Sequence, residues 1–103
     1  MMVGMDARWD KLVEVVAGGD VTTGSMFGSQ GLRTGRRYFA LWWREHLVLK
    51  LPPERVAELG QHAEPFEPMP GREMGGWVVV DDDADWAALA EEANAYVSVV
   101  GRD

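Results

Sequence analysis

The alternation of apolar and polar residues in the middle of the chain predicts a strand. The odd positions of residues 36–44 are the more apolar set, Arg37, Phe39, Leu41 and Trp43. The even positions mix aromatic residues with arginines: Arg36, Tyr38, Ala40, Trp42 and Arg44. Successive side chains of a strand point to opposite faces of its sheet. We therefore expect the odd set to face a core and the even set to share the opposite face.

A second strand with the same pattern follows at once. Leu47, Leu49 and Leu51 alternate with Val48 and Lys50. Such alternation is typical of an antiparallel sheet with one face on a core and the other nearer water.

Short turns join these strands to their neighbours. Thr34-Gly35 is a candidate hairpin turn, because Gly adopts the positive φ that such turns require. Arg44-Glu45-His46 is the next candidate turn, although it contains no Gly or Asn.

Helical periodicity brackets the strands. Trp9, Leu12, Val13 and Val16 recur at the spacing of one helix face, which predicts an amphipathic helix from Asp6 to Ala17. The remaining elements predicted are a strand over residues 26–33, a short helix over 53–59, an irregular loop over 61–73, a strand over 74–80 and a helix over 86–100.

This order of elements, α-β-β-β-α-β-α, predicts the fold class. Residues 1–103 form a single domain, near the commonest domain size. Because helices flank a run of strands, we expect an α+β two-layer sandwich: an antiparallel sheet of about four to five strands with helices on one face.

Composition excludes several classes of function. The chain has no cysteine, which excludes disulfides, thiol catalysis and thiolate metal sites. It contains no signal peptide and no membrane-spanning apolar run, so we expect a cytoplasmic protein that does not contact membranes. The net charge of −7 disfavours binding to nucleic acid.

The charge is unevenly distributed. Residues 31–55 carry six basic and two acidic side chains, a net charge of +4, so the rest of the chain carries −11. Two interpretations stay open: a solvated hairpin decorated with arginines, or a local anion-binding patch.

No motif in the sequence predicts catalysis, a cofactor or a metal site. The glycines of residues 24–35 match neither nucleotide-binding motif, and His46 and His62 lack metal-binding spacing. The acidic residues after position 80 resemble a calcium loop, but Trp86 stands where the loop requires Gly, so they are better read as a helix cap. We therefore expect a protein that is not an enzyme.

The candidate binding surface is the even face of the 36–44 strand with the basic residues beside it. Tyr, Trp and Arg are the side chains most enriched at binding hot spots, and two aromatic rings on a sheet also form a stacking platform. The alternative is that loop 61–73 covers this face, with Phe66 and Met69 packed on it. The candidate site residues are Arg33, Arg36, Tyr38, Trp42, Arg44 and Lys50.

Several short motifs resemble one known family. They are Met26-Phe27-Gly28, Gly31-Leu32, Gly35, Phe39-Ala40-Leu41 and the strand over residues 47–51. In this order they resemble the TfoX amino-terminal domain family, and the build is also similar to that of the YjbR-like proteins. The resemblance implies a small bacterial domain with a curved antiparallel sheet and helices on one face, and it carries over no catalytic residue.

Two hypotheses about function follow. The first is a small non-enzymatic interaction or regulatory domain that binds a protein partner or a second copy of itself through the candidate surface. The alternative is a nucleic-acid-binding protein that uses the basic hairpin over residues 33–44, whose affinity would fall steeply with salt.

Overall fold

The computed structural model describes residues 7–26 and 28–100. Within those ranges the chain forms a six-stranded antiparallel sheet and three α-helices. The strands lie in the order β1-β2-β3-β4-β6-β5. In chain order the elements are α1 (Ala7–Val16), β1 (Val21–Met26), β2 (Ser29–Thr34), β3 (Arg37–Trp43), β4 (His46–Lys50), α2 (Pro53–Leu59), a 3₁₀ turn (Gly60–His62), β5 (Ala63–Pro65), β6 (Trp77–Val80) and α3 (Trp86–Val100).

The predicted fold class is confirmed, with an antiparallel sheet that has helices α1 and α3 on one side. The sheet has six strands rather than four to five. The predicted strand over residues 26–33 is wrong in its extent, because the chain turns at Gly28 (φ +74°) and divides into β1 and β2. The other additional strand, β5, lies inside the predicted loop.

The helices agree closely with the predicted ones. α1 buries Trp9 and Leu12, and the predicted cap Asp6 lies outside the described residues. α2 begins at Pro53. Proline is tolerated at this position because the N–H groups of the first helical turn make no hydrogen bond within the helix. At the start of α3 the Asp85 carboxylate accepts a hydrogen bond from the Ala88 N–H (3.2 Å), a helix cap. No helix within the described residues is long and apolar enough to cross a membrane.

Both predicted hairpin turns form. Gly35 adopts φ +59° between β2 and β3. Between β3 and β4, Arg44 (φ +51°) and Glu45 (φ +67°) both adopt left-handed conformations. Such conformations cost L-residues roughly 1–2 kcal/mol each, so the packing of the two strands must hold this turn in place.

An extra residue in β3 breaks the alternation on which the candidate surface rests. Leu32 pairs with Ala40 but Arg33 pairs with Tyr38, so Phe39 has no partner in β2. In such a bulge two residues oppose one, and the faces exchange. Phe39 and Ala40 therefore both join the core beneath the helices, and Tyr38 lies on the same face as Leu41. The prediction that Arg36, Tyr38, Trp42 and Arg44 share one face is wrong.

Both faces of the central strands are buried. The helix-side core contains Leu47 and Leu49 together with residues of α1 and α3. On the opposite side Leu41 and Val48 are also fully buried. Residues 66–76, the covering segment between β5 and β6, return across them. That covering segment is tied to itself by the hydrogen bonds Phe66 N–H to Trp77 O (3.0 Å) and Met74 N–H to Phe66 O (3.0 Å). The expectation that this face lies nearer water is therefore wrong at the centre of the sheet.

Trp42 is a core residue, and its removal is expected to destabilise the fold. It is 9% exposed in the helix-side core. Trp42→Ala should lower the free energy of unfolding by about 3–5 kcal/mol, because the cavity cannot close fully. Urea denaturation measures the change, with Val99→Ala, at a side chain that is 68% exposed, as the control. A loss similar to that of the control would contradict the buried position.

Candidate functional site

The six candidate residues do not share one surface in the structure. Trp42 lies between Trp9 and Trp86, with ring centres 5.8 Å from each. The guanidinium of Arg8 lies 5.9 Å above Trp42 and 5.0 Å above Trp86, and Arg8 also pairs with Asp82 at 3.0 Å. Trp42 is thus an interior member of an aromatic cluster and offers no surface to a partner.

The basic candidates do not form a continuous stripe. Arg36 and Arg44 lie in turns at opposite ends of β3, roughly 26 Å apart at about 3.3 Å per strand residue. Arg44 stacks on Trp43, with its guanidinium 5.1 Å from the ring centre. Lys50 is half-buried beside Gly76. A phosphate backbone would need these charges along one track, and the hairpin does not provide it.

Arg36 instead lines a cleft with Arg37 at the far end of the sheet. The cleft has a volume of about 420 Å³ and is also lined by Asp20 and Ser98. The carboxylate of Asp20 balances part of the positive charge there. In this cleft, the interpretation of the basic segment as a local anion-binding patch therefore rests on Arg36 and Arg37 alone.

Arg33 and Tyr38 are the two candidates that the structure brings together. They are cross-strand partners, so both project from the side of the sheet opposite the helices. The guanidinium of Arg33 lies 6.0 Å from the centre of the Tyr38 ring, and its Nε–H donates to the Thr22 hydroxyl on β1 (3.3 Å). The Arg33 side chain therefore extends from β2 over the edge strand β1.

Two glycines make room for the Tyr38 ring. Gly24 and Gly31 are cross-strand partners on β1 and β2. A Cβ on Gly24 would collide with the Tyr38 hydroxyl, and one on Gly31 would lie 3.1 Å from the Tyr38 Cδ2 and 2.8 Å from the Ala40 carbonyl oxygen. The Tyr38 hydroxyl donates to the Ser25 carbonyl oxygen at 3.0 Å. The ring is thus held flat over two strands by packing at both ends.

These residues define one surface, the Tyr38 surface, made of Thr22, Gly24, Arg33 and Tyr38. Thr22 is exposed, and Arg33 and Tyr38 are half-buried. The covering segment buries the neighbouring half of the same face, where Phe66 meets Trp43 with ring centres 5.4 Å apart. Tyr38 packs at the rim of that covered cluster. The alternative that loop 61–73 covers both rings is wrong for Trp42, which the helices cover, and for Met69, which is 55% exposed. It is correct in part for Tyr38, because Phe66 belongs to the covered cluster against which Tyr38 packs.

The two histidines meet in a second cleft that the sequence analysis did not find. It has a volume of about 400 Å³ and is lined by His46, His62, Glu64 and Asp81. His62 Nδ1 lies 2.7 Å from an Asp81 carboxylate oxygen, and the Asp81 N–H donates to the His62 carbonyl oxygen. The pairing of β6 with β4 and β5 brings these residues together. The sequence alone carries no signal for that pairing. Within the described part of the chain no cluster of His, Asp and Glu has metal-binding geometry.

The hydrogen bond to Asp81 raises the pKa of His62 above its ordinary value of 6.5, and the negative charge of Asp81 adds to the effect. The same hydrogen bond lowers the pKa of Asp81 below its ordinary value of 3.8. The pair links the 3₁₀ turn before β5, which contains His62, to the turn before α3, which begins at Asp81. Both side chains are half-exposed, so the pair encloses no buried charge.

Comparison with known families places the chain. The sequence model of the TfoX N-terminal domain matches residues 14–95. This chain belongs to the TfoX N-terminal domain family. No curated protein and no solved structure matches it significantly.

The residues that carry the family resemblance have clear structural tasks in this TfoX N-terminal domain. Gly31 lies beneath the Tyr38 ring, and Gly35 makes the β2–β3 turn. Phe39 is the extra residue of β3, and Leu41 is the centre of the covered face. Gly28 turns β1 into β2, and the adjoining Phe27 lies outside the described residues.

The Tyr38 ring position can be tested with Gly24. Gly24→Ala should destabilise the domain by about 1–3 kcal/mol, because its Cβ would collide with the Tyr38 hydroxyl. In a Tyr38→Phe background the same substitution should cost less, and urea denaturation of the four proteins measures this coupling. Gly75→Ala is the control, since a Cβ there meets no atom within 4 Å. Equal costs in both backgrounds would refute the ring position.

The His62–Asp81 pair predicts a pH-dependent stability. A raised His62 pKa stabilises the fold below pH 6.5, and this effect disappears as pH rises through the raised value. A lowered Asp81 pKa stabilises above pH 3.8, and this effect disappears as pH falls through the lowered value. The difference in melting temperature between the natural protein and His62→Gln should therefore be largest between pH 3.8 and pH 6.5, the ordinary pKa values of the two groups, and should shrink as pH rises through the raised pKa of His62.

His46→Gln is the matched control for this measurement, because it removes the other imidazole from the cleft and leaves the His62–Asp81 hydrogen bond intact. A difference for His62→Gln that does not change between pH 5 and 8 would contradict the contribution of the pair.

Proposed function

We propose that this TfoX N-terminal domain is a non-enzymatic interaction module that regulates a protein partner by binding it at the Tyr38 surface. The observation that carries the proposal is the Tyr38 ring, held over Gly24 and Gly31 beside the guanidinium of Arg33. As parts of the same proposal, the domain acts in the bacterial cytoplasm and shares this mode of action with the YjbR-like proteins.

The chemistry of this surface favours recognition over catalysis. The Tyr38 hydroxyl is already engaged with the Ser25 carbonyl oxygen, and a guanidinium keeps its charge at all physiological pH values. Tyr and Arg combine a large contact area with directed hydrogen bonds, which is why they dominate binding hot spots.

The surface is also ordered before any partner arrives. The Tyr38 ring is fixed by the two glycines and by its hydrogen bond, and Arg33 is fixed by Thr22 and the ring. Ordering a flexible side chain at an interface costs about 0.5–1.5 kcal/mol, so side chains that are already placed bind with less loss.

Reversal of the charge on Arg33 tests the proposal. A tagged protein expressed in its native host should capture a partner, and Arg33→Glu should lower the recovered amount at least about ten-fold, since truncation of a hot-spot residue costs 2 kcal/mol or more. Quantitative mass spectrometry measures recovery. The captured protein, once purified, is then titrated against both forms by calorimetry.

Arg72→Glu is the matched control, because Arg72 is an exposed arginine of the covering segment and is not part of the Tyr38 surface. Circular dichroism verifies that both variants fold. If no captured protein distinguishes Arg33→Glu from Arg72→Glu, the Tyr38 surface is not the interaction site.

A further inference from the structure

We propose that the outer edge of β1 binds an extended acidic segment of the partner as an added strand, and that Arg33 recognises its carboxylate. This inference rests on the proposed function and names the chemistry of the partner.

β1 lacks the usual protection of an edge strand. Natural sheets block their edges with charged residues, proline, bulges or very short strands, because unpaired backbone groups attract other chains. β1 has six residues, VTTGSM, none of which is charged or proline, and it pairs with β2 without a register shift. The opposite edge strand β5 has three residues and ends in Pro65. Among residues 7–26 and 28–100, the β1 edge of the sheet is therefore the one that is open to pairing.

The ladder identifies which backbone groups of β1 are available. The Asp20 carbonyl faces the β2–β3 turn, where it accepts from the Gly35 N–H (3.2 Å). Val21 faces outward and exchanges two hydrogen bonds with Gly18 (2.9 and 3.1 Å). Because direction alternates along a strand, the N–H and C=O groups of Thr23 and Ser25 also face outward.

These outward groups can pair with an added strand. The Ser25 carbonyl accepts from the Tyr38 hydroxyl, but a carbonyl oxygen has a second lone pair. The Thr23 N–H and C=O make no backbone hydrogen bond outside the β1–β2 ladder to any described residue. A short extended segment centred on Gly24 would thus find a complete set of partners, as in other cases of strand addition.

Arg33 determines the charge of that segment. Its guanidinium lies over Thr22, and it makes no ion pair with any carboxylate in residues 7–26 and 28–100. Gly18 already occupies the outer side of Val21, so the added strand is centred opposite Gly24. Its central residue would project to the same side of the sheet as Thr22, at about 7–8 Å from it along the diagonal. A Glu or Asp side chain there reaches the free N–H groups of the guanidinium, which bind carboxylates in a forked geometry.

A second copy of the chain fits this site less well. If two β1 strands paired antiparallel about Gly24, the residue opposite Thr22 would be Met26 of the other copy. Arg33 would then gain no carboxylate, and two arginine-bearing β2 strands would approach each other. The geometry favours an acidic segment of a different protein.

Two matched peptides test the inference directly. One is the blocked heptapeptide Thr-Val-Thr-Glu-Thr-Val-Thr, and the other has Lys in place of Glu. NMR titration of the natural protein should shift the amide signals of residues 21–26 and 33. The Lys peptide should bind at least about five-fold more weakly, because opposite charges across a strand pair attract and like charges repel.

Two variants assign the effects. Arg33→Gln should bring the affinity ratio of the two peptides close to one. Thr23→Pro, which removes an outward N–H, should weaken both peptides equally. Equal binding of the peptides to the natural protein, shifts elsewhere, or no binding of either peptide overturns the inference. So does a concentration-dependent shift of Thr23 and Ser25 in the absence of peptide, which identifies a second copy at the edge.

The outcome is distinguishable from a failure of the proposed function. If neither peptide binds but Arg33→Glu still loses its captured partner, strand addition is wrong and the Tyr38 surface stands. If the Glu peptide binds as expected but no captured protein depends on Arg33, strand addition is a property of the edge and the proposed regulatory role fails.

Discussion

The arrangement of this domain depends on the extra residue in β3. Phe39 has no partner in β2, so Phe39 and Ala40 both turn toward the helices. Tyr38 is thereby placed on the opposite side, where Gly24 and Gly31 leave space for its ring. With a regular strand Tyr38 would face the helices instead. The extra residue thus adds the Phe39 side chain to the helix-side core and places Tyr38 on the opposite side of the sheet.

The sequence predicted the helices and the β3–β4 hairpin because their periodicity reflects local geometry. Leu47 and Leu49 lie on the helix side, as their alternation indicated. β1 stayed hidden because an edge strand with much of its surface exposed has no apolar rhythm. The position of Trp42 could not be predicted, since an extra residue and a covering segment are properties of the whole fold. Of the candidate site, only Arg33 and Tyr38 came together.

The sheet is divided into a closed half and an open half. Around β3, β4 and β6, helices cover one face and the segment after β5 covers the other. Around β1 and β2 the face opposite the helices carries Thr22, Arg33 and the Tyr38 ring at its surface. The closed half contains the buried clusters, and the open half carries the guanidinium of Arg33. The family glycines lie mostly in the open half.

The placement of β6 between β4 and β5 has a consequence for the order of assembly. The β1–β4 meander closes only short loops, whereas β6 reaches β4 across residues 51–76. Long closures cost more chain entropy and form later. A nascent chain emerging from the ribosome can thus complete the β1–β4 meander first, while the outer edge of β4 still lacks its partner β6. Leu41 and Val48 share their buried cluster with Phe66 and Trp77, so in such a chain they stay uncovered until those residues are added. We expect the growing polypeptide to be most prone to aggregation in that interval.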